Sequence, residues 1–217
     1  MTNHFMRDLG NLADHLLQVS SRCEEAFGKA IDSILSRDAV RAREVVEGDK
    51  VIDDLEVLLE EEALKILALH APVAGDLRFI VAAIKINNDL ERIADIAANI
   101  AKRTLDLERL APTSPPERFD EMAQQTRTMV RETMQALINR DEQRAHRLPA
   151  MDDQIDDLQR EILFRIEERM REEPEAVPAL MRWANVVRLV ERIADYATNI
   201  AEDVIYMEEG DIVRHGN

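Results

Sequence analysis

Glu91-Arg92-Ile93-Ala94-Asp95-Ile96-Ala97-Ala98-Asn99-Ile100-Ala101 returns one hundred positions later as Glu191-Arg192-Ile193-Ala194-Asp195-Tyr196-Ala197-Thr198-Asn199-Ile200-Ala201. The copies differ only at their sixth and eighth places. Identity over that length marks an internal repeat. Glu, Asp and Asn stand four apart, which on a helix places them on one face. Each copy thus carries two carboxylates and an amide along one side.

A second match lies upstream of each copy. Residues 36–55 laid against 139–158 give nine identities in twenty, among them Arg37/Arg140, Asp38/Asp141, Asp49/Asp152, Asp53/Asp156 and Leu55/Leu158. The offset falls from 103 to 100 between the two blocks, a shortening best placed near the Pro-rich turn before the third helix of the unit. The repeat is therefore a whole three-helix unit.

Leu9, Leu12, Leu16, Val19, Cys23, Ala26, Ala30 and Ile34 follow a three-and-four spacing and predict a first helix, with Cys23 a buried apolar residue on its seam. Ser36-Arg37-Asp38 breaks it, with Asp38 as cap for a second helix that runs to about His70 on Val45, Ile52, Leu55, Leu59, Ile66 and Leu69. Ala71-Pro72-Val73-Ala74-Gly75 ends that helix, and a third runs from Asp76 to about Leu110. Residues 111–116, Ala-Pro-Thr-Ser-Pro-Pro, separate the halves. Phe119, Met122, Thr126, Met129, Thr133 and Ala136 open the second half, and Asn139-Arg140-Asp141 repeats the earlier break. A fifth helix runs to about Glu173 and a sixth to about Glu209, where Gly210 stops it. The expectation is an all-α fold of six long helices in two tandem three-helix bundles, residues 1–110 and 117–217.

The 217 residues carry a net charge of −16, which argues against nucleic acid and anionic lipid as partners. A single cysteine permits no internal disulfide and favours a reducing, cytoplasmic setting. The first ten residues lack the apolar run of a signal peptide, and no stretch is long and apolar enough to span a membrane.

The second helices carry their own acidic pairs, Asp49/Asp53 and Asp152/Asp156. If the second and third helices of a unit are neighbours, four carboxylates converge in each half: Asp49, Asp53, Glu91 and Asp95, then Asp152, Asp156, Glu191 and Asp195. Like charges at this spacing cost about 0.2–0.5 kcal/mol per pair on an isolated helix. Either arginine (Arg78, Arg92, Arg182, Arg188 and Arg192 are near in sequence) or a hard metal ion compensates them. The amide of Asn99 or Asn199 is placed to complete a metal shell or position a water. No histidine has a glutamate three residues before it, which argues against a dimetal carboxylate-bundle oxidase. No Gly-rich phosphate loop is present, and Trp183 reads as core or interface rather than as a stacking platform.

Asp76-Leu77-Arg78-Phe79-Ile80, Asp89-Leu90-Glu91-Arg92-Ile93-Ala94-Asp95, the second copy at 191–201 and the tail Glu209-Gly210-Asp211-Ile212-Val213-Arg214-His215 together resemble the PhoU family over essentially the full chain. The resemblance implies two three-helix bundles, a homodimer and a cytoplasmic, non-enzymatic negative regulator of phosphate uptake and phosphate-starvation signalling. It implies as partners the ATPase of a phosphate ABC transporter and a sensor histidine kinase. It also implies metal ions (Mg, Mn or Fe) at Glu/Asp-x-x-x-Asp motifs, and all eight carboxylates named above occupy those positions. The second half departs from the first in having Ala179-Leu180-Met181-Arg182 in place of the Asp-Leu-Arg turn. The alternatives are a dimetal carboxylate-bundle enzyme and a metal-free helical adaptor.

Overall fold

The structure is a computed structural model that describes residues 3–210. Residues 211–217, the end of the second expected bundle and most of the quoted tail, lie outside the described residues, as do Met1 and Thr2. Helix α1 spans Asn3–Ser36, α2 Ala39–His70 and α3 Ala74–Glu108. The second half contains α4 (Phe119–Asn139), a single turn α5 (Glu142–Ala145), α6 (Pro149–Glu172) and α7 (Val177–Glu209), the last preceded by a 3-10 turn at Pro174–Ala176. α1, α2 and α3 pack on one another, as do α4, α6 and α7, and α3 lies along α7 to join the bundles.

The matching breaks are built alike. Arg37 and Arg140 both take the left-handed conformation, with φ of 54° and 51°. That reverses the chain at the helix end. The next residue caps the following helix: the Asp38 carboxylate accepts from the backbone N–H of Val40 and Arg41, and Asp141 accepts from Arg144. Free N–H groups at a helix start need such acceptors.

The halves part company at Pro149. The sequence predicts one continuous helix from the Asp141 cap to about Glu173. The structure interrupts it after Ala145 and restarts it with Pro149 at the first helical position. Proline lacks an N–H and collides with the carbonyl four residues back, so it suits a helix start and not an interior. Val46 occupies the equivalent place in α2, which runs unbroken. Residues 71–73 connect α2 to α3, whereas Glu173 and the 3-10 turn Pro174–Ala176 connect α6 to α7.

One expected core residue is outside. Val45, Ile52, Leu59 and Ile66 form the buried seam of α2, but Leu69 is 66% exposed. It stands three past Ile66, and on this helix that step leaves the core face. Cys23 is fully buried and its thiol donates to the Leu90 carbonyl across the α1–α3 contact at 3.2 Å. Trp183 is also core, edge-on to Phe119 with ring centroids 5.0 Å apart.

Alanine crowds the joining helices. Ala82, Ala83, Ala94, Ala97, Ala98 and Ala101 of α3 and Ala179, Ala184, Ala194, Ala197 and Ala201 of α7 are all buried. Small side chains let the neighbouring helices approach closely, and the interior leaves little room to enlarge them. Between the halves, Lys85 Nζ meets Asp203 Oδ1 at 2.7 Å, and Arg127 of α4 reaches Asp32 of α1 at 2.9 Å. Ala97→Leu and Ala197→Leu, at equivalent places in the repeat, should each destabilise the protein by about 1–3 kcal/mol through overpacking. Urea unfolding followed by circular dichroism measures this, and a neutral result at both sites would refute close packing there.

Candidate metal centres

Adjacency of α2 with α3 and of α6 with α7 brings the two acidic pairs of each half into one electrostatic neighbourhood. In the first half, Asp49 is half-buried, and burial together with the charges of Asp53 and Asp95 holds its carboxyl above the ordinary range. Glu91 is raised in the same way, by burial first and then by Asp95, with smaller contributions from Glu56 and Asp53. Cys23 lies beneath this group: burial, followed by the charges of Asp49 and Glu91, pushes its thiol far above the usual value.

The second half repeats the arrangement with sharper consequences. Burial and the charges of Asp195, Asp156, Asp153 and Glu191 raise Asp152 to about 6. Glu191 is raised by burial, Asp195 and Asp156, while a hydrogen bond from Gln159 acts the other way. Partial desolvation and Asp156 raise Asp195. One oxygen of Asp152, Oδ1, is buried without a hydrogen-bond partner. Burial is the largest cause of each raised carboxyl and the neighbouring acids add to it, while Lys102, Arg92 and Arg192 offset only part.

Arginine accounts for only part of the first group. Arg92 approaches Glu91 at 3.5 Å and Asp95 at 3.8 Å from a half-exposed position. Such long, solvent-screened pairs contribute little. Among the described residues, no ion pair within 4.0 Å reaches Asp49, Asp53, Asp152, Asp156, Glu191 or Asp195. The same holds for Arg78, Arg182, Arg188 and Arg192, none of which closes such a pair on the eight carboxylates.

The donors are all carboxylate oxygens, the chemistry that Mg²⁺, Mn²⁺ and iron prefer, and the orphaned Asp152 Oδ1 fits such a ligand. Among the described residues no three carboxylate, imidazole or thiol groups close around a single point as the side chains stand. The eight residues therefore form two open acidic surfaces and not two preformed shells.

Three features were not read from the sequence. Glu56 belongs to the first group, seven residues after Asp49 and three after Asp53 on the same helix; the sequence signal was present as a continued acidic spacing. Its repeat equivalent is Gln159, whose amide hydrogen-bonds Glu191. Asp153, equivalent to Lys50, adds charge beside Asp152. Asn99 is half-buried, whereas Asn199 is exposed and lines a cavity of about 640 Å³ between the bundles with Glu56, Glu60, Lys85 and Asn87.

The PhoU domain pattern matches residues 16–104 and 119–204, once in each half. The chain is 33% identical over 208 residues to the phosphate-specific transport system accessory protein PhoU homolog 1 of Thermotoga maritima, covering 95% of this chain and 90% of that one. Its fold is similar to the crystal structure of PhoU from Pseudomonas aeruginosa, with a TM-score of 0.91 at 32% identity, covering 95% of this chain and all of that one. It is likewise similar to the phosphate transport system regulatory protein PhoU from Streptococcus pneumoniae, with a TM-score of 0.88 at 28% identity over 97% of this chain and all of that one.

Asp152 supplies a test of the acidic group. Its folded-state pKa of about 6 stands above the ordinary 3.8, so stability tied to it is fully present below 3.8 and is lost as pH rises through about 6. In chelator-treated protein, the melting temperature should rise when pH is lowered from neutral to about 5. Asp152→Asn should raise the melting temperature at neutral pH and flatten that dependence. A variant less stable than the parent in chelator would show that the carboxylate is compensated.

Proposed function

The chain belongs to the PhoU family, and on that premise we propose that it is a non-enzymatic negative regulator of phosphate uptake and phosphate-starvation signalling. In this reading it works as a metal-binding adaptor and a homodimer on the cytoplasmic side of the membrane. It links the ATPase of a phosphate ABC transporter to a sensor histidine kinase. Family membership over both halves supports the regulatory role, and relatives of similar length carry accessory and regulatory names in phosphate transport. Among the described residues no helix is long and apolar enough to cross a membrane.

The observation that carries the metal reading is the pair of under-compensated carboxylate groups, one in each bundle. Asp49, Asp53, Glu91 and Asp95 would hold one centre, and Asp152, Asp156, Glu191 and Asp195 the other. A bound hard cation supplies positive charge at an otherwise acidic surface. The residues' own part is to keep oxygen donors aligned along two rigid helices, so that binding cross-links α2 to α3 and α6 to α7. A metal-free adaptor draws its support from the Arg92 pairs and the charges of Lys102 and Arg192; among the described residues the second half has no ion pair equivalent to those of Arg92.

Metal binding to the folded state alone must raise stability, by about 2.7 kcal/mol per site at a hundredfold excess over Kd. Chelator-treated protein should therefore gain melting temperature with Mn²⁺, Mg²⁺ or iron. Asp95→Lys with Asp195→Lys should abolish that gain and, with it, capture of the transporter ATPase and the kinase. Capture that persists in the folded double variant would favour the metal-free adaptor.

A further inference from the structure

The outer face of α2 is apolar where the fold does not require it. Val40, Val51, Leu58 and Leu69 are 65, 50, 46 and 66% exposed. At about 100° per residue they fall on one stripe of the helix, together with the exposed Glu44 and Lys65. The repeat provides an internal control. The corresponding positions of the second half, at the offset of 103, are Gln143, Gln154, Glu161 and Glu172, with Arg147 and Glu168 matching Glu44 and Lys65. A three-helix bundle of this design is thus built there without an apolar stripe. Val57 and Leu64, also exposed, lie on a different side of α2.

The stripe reads the same in both directions. Positions 40, 44, 51, 58, 65 and 69 are separated by 4, 7, 7, 7 and 4 residues, symmetric about a point between Asp54 and Leu55. Laid antiparallel on a copy of itself about that point, Val40 meets the partner's Leu69, Glu44 meets the partner's Lys65, and Val51 meets the partner's Leu58. Apolar faces apolar, and acid faces base. A two-fold interface demands this self-complementarity, because one patch must fit itself. Gly48 lies on the same side, with open space where a Cβ would stand. Opposite it falls the partner's Glu61, beside a cavity lined by Arg22, Glu25, Lys29 and Glu44, where Lys29 already pairs with Glu25 at 2.7 Å. Two pairings are adverse: Glu47 against the partner's Glu62, although Glu62 is already held by His15 at 2.6 Å, and exposed Asp54 against the partner's Leu55 at the two-fold centre.

We infer that α2 packs antiparallel on α2 of a second copy, through Val40, Val51, Leu58 and Leu69 and the Glu44–Lys65 pair. The face points away from the metal-candidate carboxylates, since Asp49 and Asp53 each stand two residues from Val51, about 200° round the helix. It gives a surface to the homodimer of the reading above and rests on that reading for nothing else.

The register is tested with cysteines, the native Cys23 being buried. Val51→Cys/Leu58→Cys should form a covalent dimer on mild oxidation. Either single variant should not, because like residues then stand seven positions apart, about 10 Å along the axis. Leu58→Lys, at an exposed site, should keep its helicity and weaken self-association in sedimentation equilibrium by about tenfold or more. Three results overturn the inference: a monomeric parent at about 100 μM, a Leu58→Lys dimer of parental affinity, or single cysteines that cross-link as well as the pair. A monomeric parent whose capture of the transporter ATPase is lost in Leu58→Lys would assign the stripe to a partner helix instead. Metal uptake measured on the same variants separates the two readings, since the dimer face can fail while uptake stands.

Discussion

Like charge held at helical spacing on adjacent helices is the constraint around which this molecule is built. A single acidic pair four residues apart costs little. Placing a second pair across a helix contact, partly out of water, raises the cost of ionising the more buried members. Asp49, Glu91, Asp152, Glu191 and Asp195 all bear the mark of it. The arrangement persists because the helices that present the carboxylates are anchored on their opposite faces by a continuous apolar core. Ile93, Ala97 and Ile100 of α3 and Ile193, Ala197 and Ile200 of α7 are fully buried behind the acidic stripes. The same eleven-residue segment therefore supplies both the anchor and the repulsion.

The two halves solve this problem differently on one scaffold. The first has Lys50 and Glu56 where the second has Asp153 and Gln159. It also has Arg92 against its glutamate and aspartate, a contact that Arg192 does not repeat. The second half consequently holds the more strongly raised carboxyl, at Asp152, and the orphaned oxygen. If cations bind as proposed, the two groups would hold them with unequal affinity. Their bundles are not independent, since α3 lies along α7 and the Lys85–Asp203 pair, with Asp203 mostly buried, ties one to the other. A cation that stiffens one pair of helices acts on a helix shared with the neighbouring bundle.

Much of this was legible in the sequence, and the failures have identifiable causes. The repeat, the Arg-Asp breaks and the heptad-like seam of α1 depend on local chemistry, which a sequence displays directly. The apolar period runs on through Pro149 and so hides the interruption, although proline is a breaker by its own covalent structure. Identity and spacing point Leu69 to the core, yet the step of three from Ile66 turns it off the core face of α2. Glu56 needed α2 and α3 to be set face to face before its charge could be counted with Glu91. Asn199 shares its stripe with Asp195, but α7 has neighbours on more than one side, and Asn199 lines a cavity together with residues of the first bundle. Contact across elements is what spacing along one helix does not encode.

The central claim is that each bundle offers its four paired carboxylates to a hard cation. Anomalous diffraction from crystals grown with Mn²⁺ tests it most directly. The account predicts two peaks per chain, one among Asp49, Asp53, Glu91 and Asp95 and one among Asp152, Asp156, Glu191 and Asp195. Manganese bound only elsewhere, or absent from both groups in crystals whose carboxylates instead meet arginine, would contradict it.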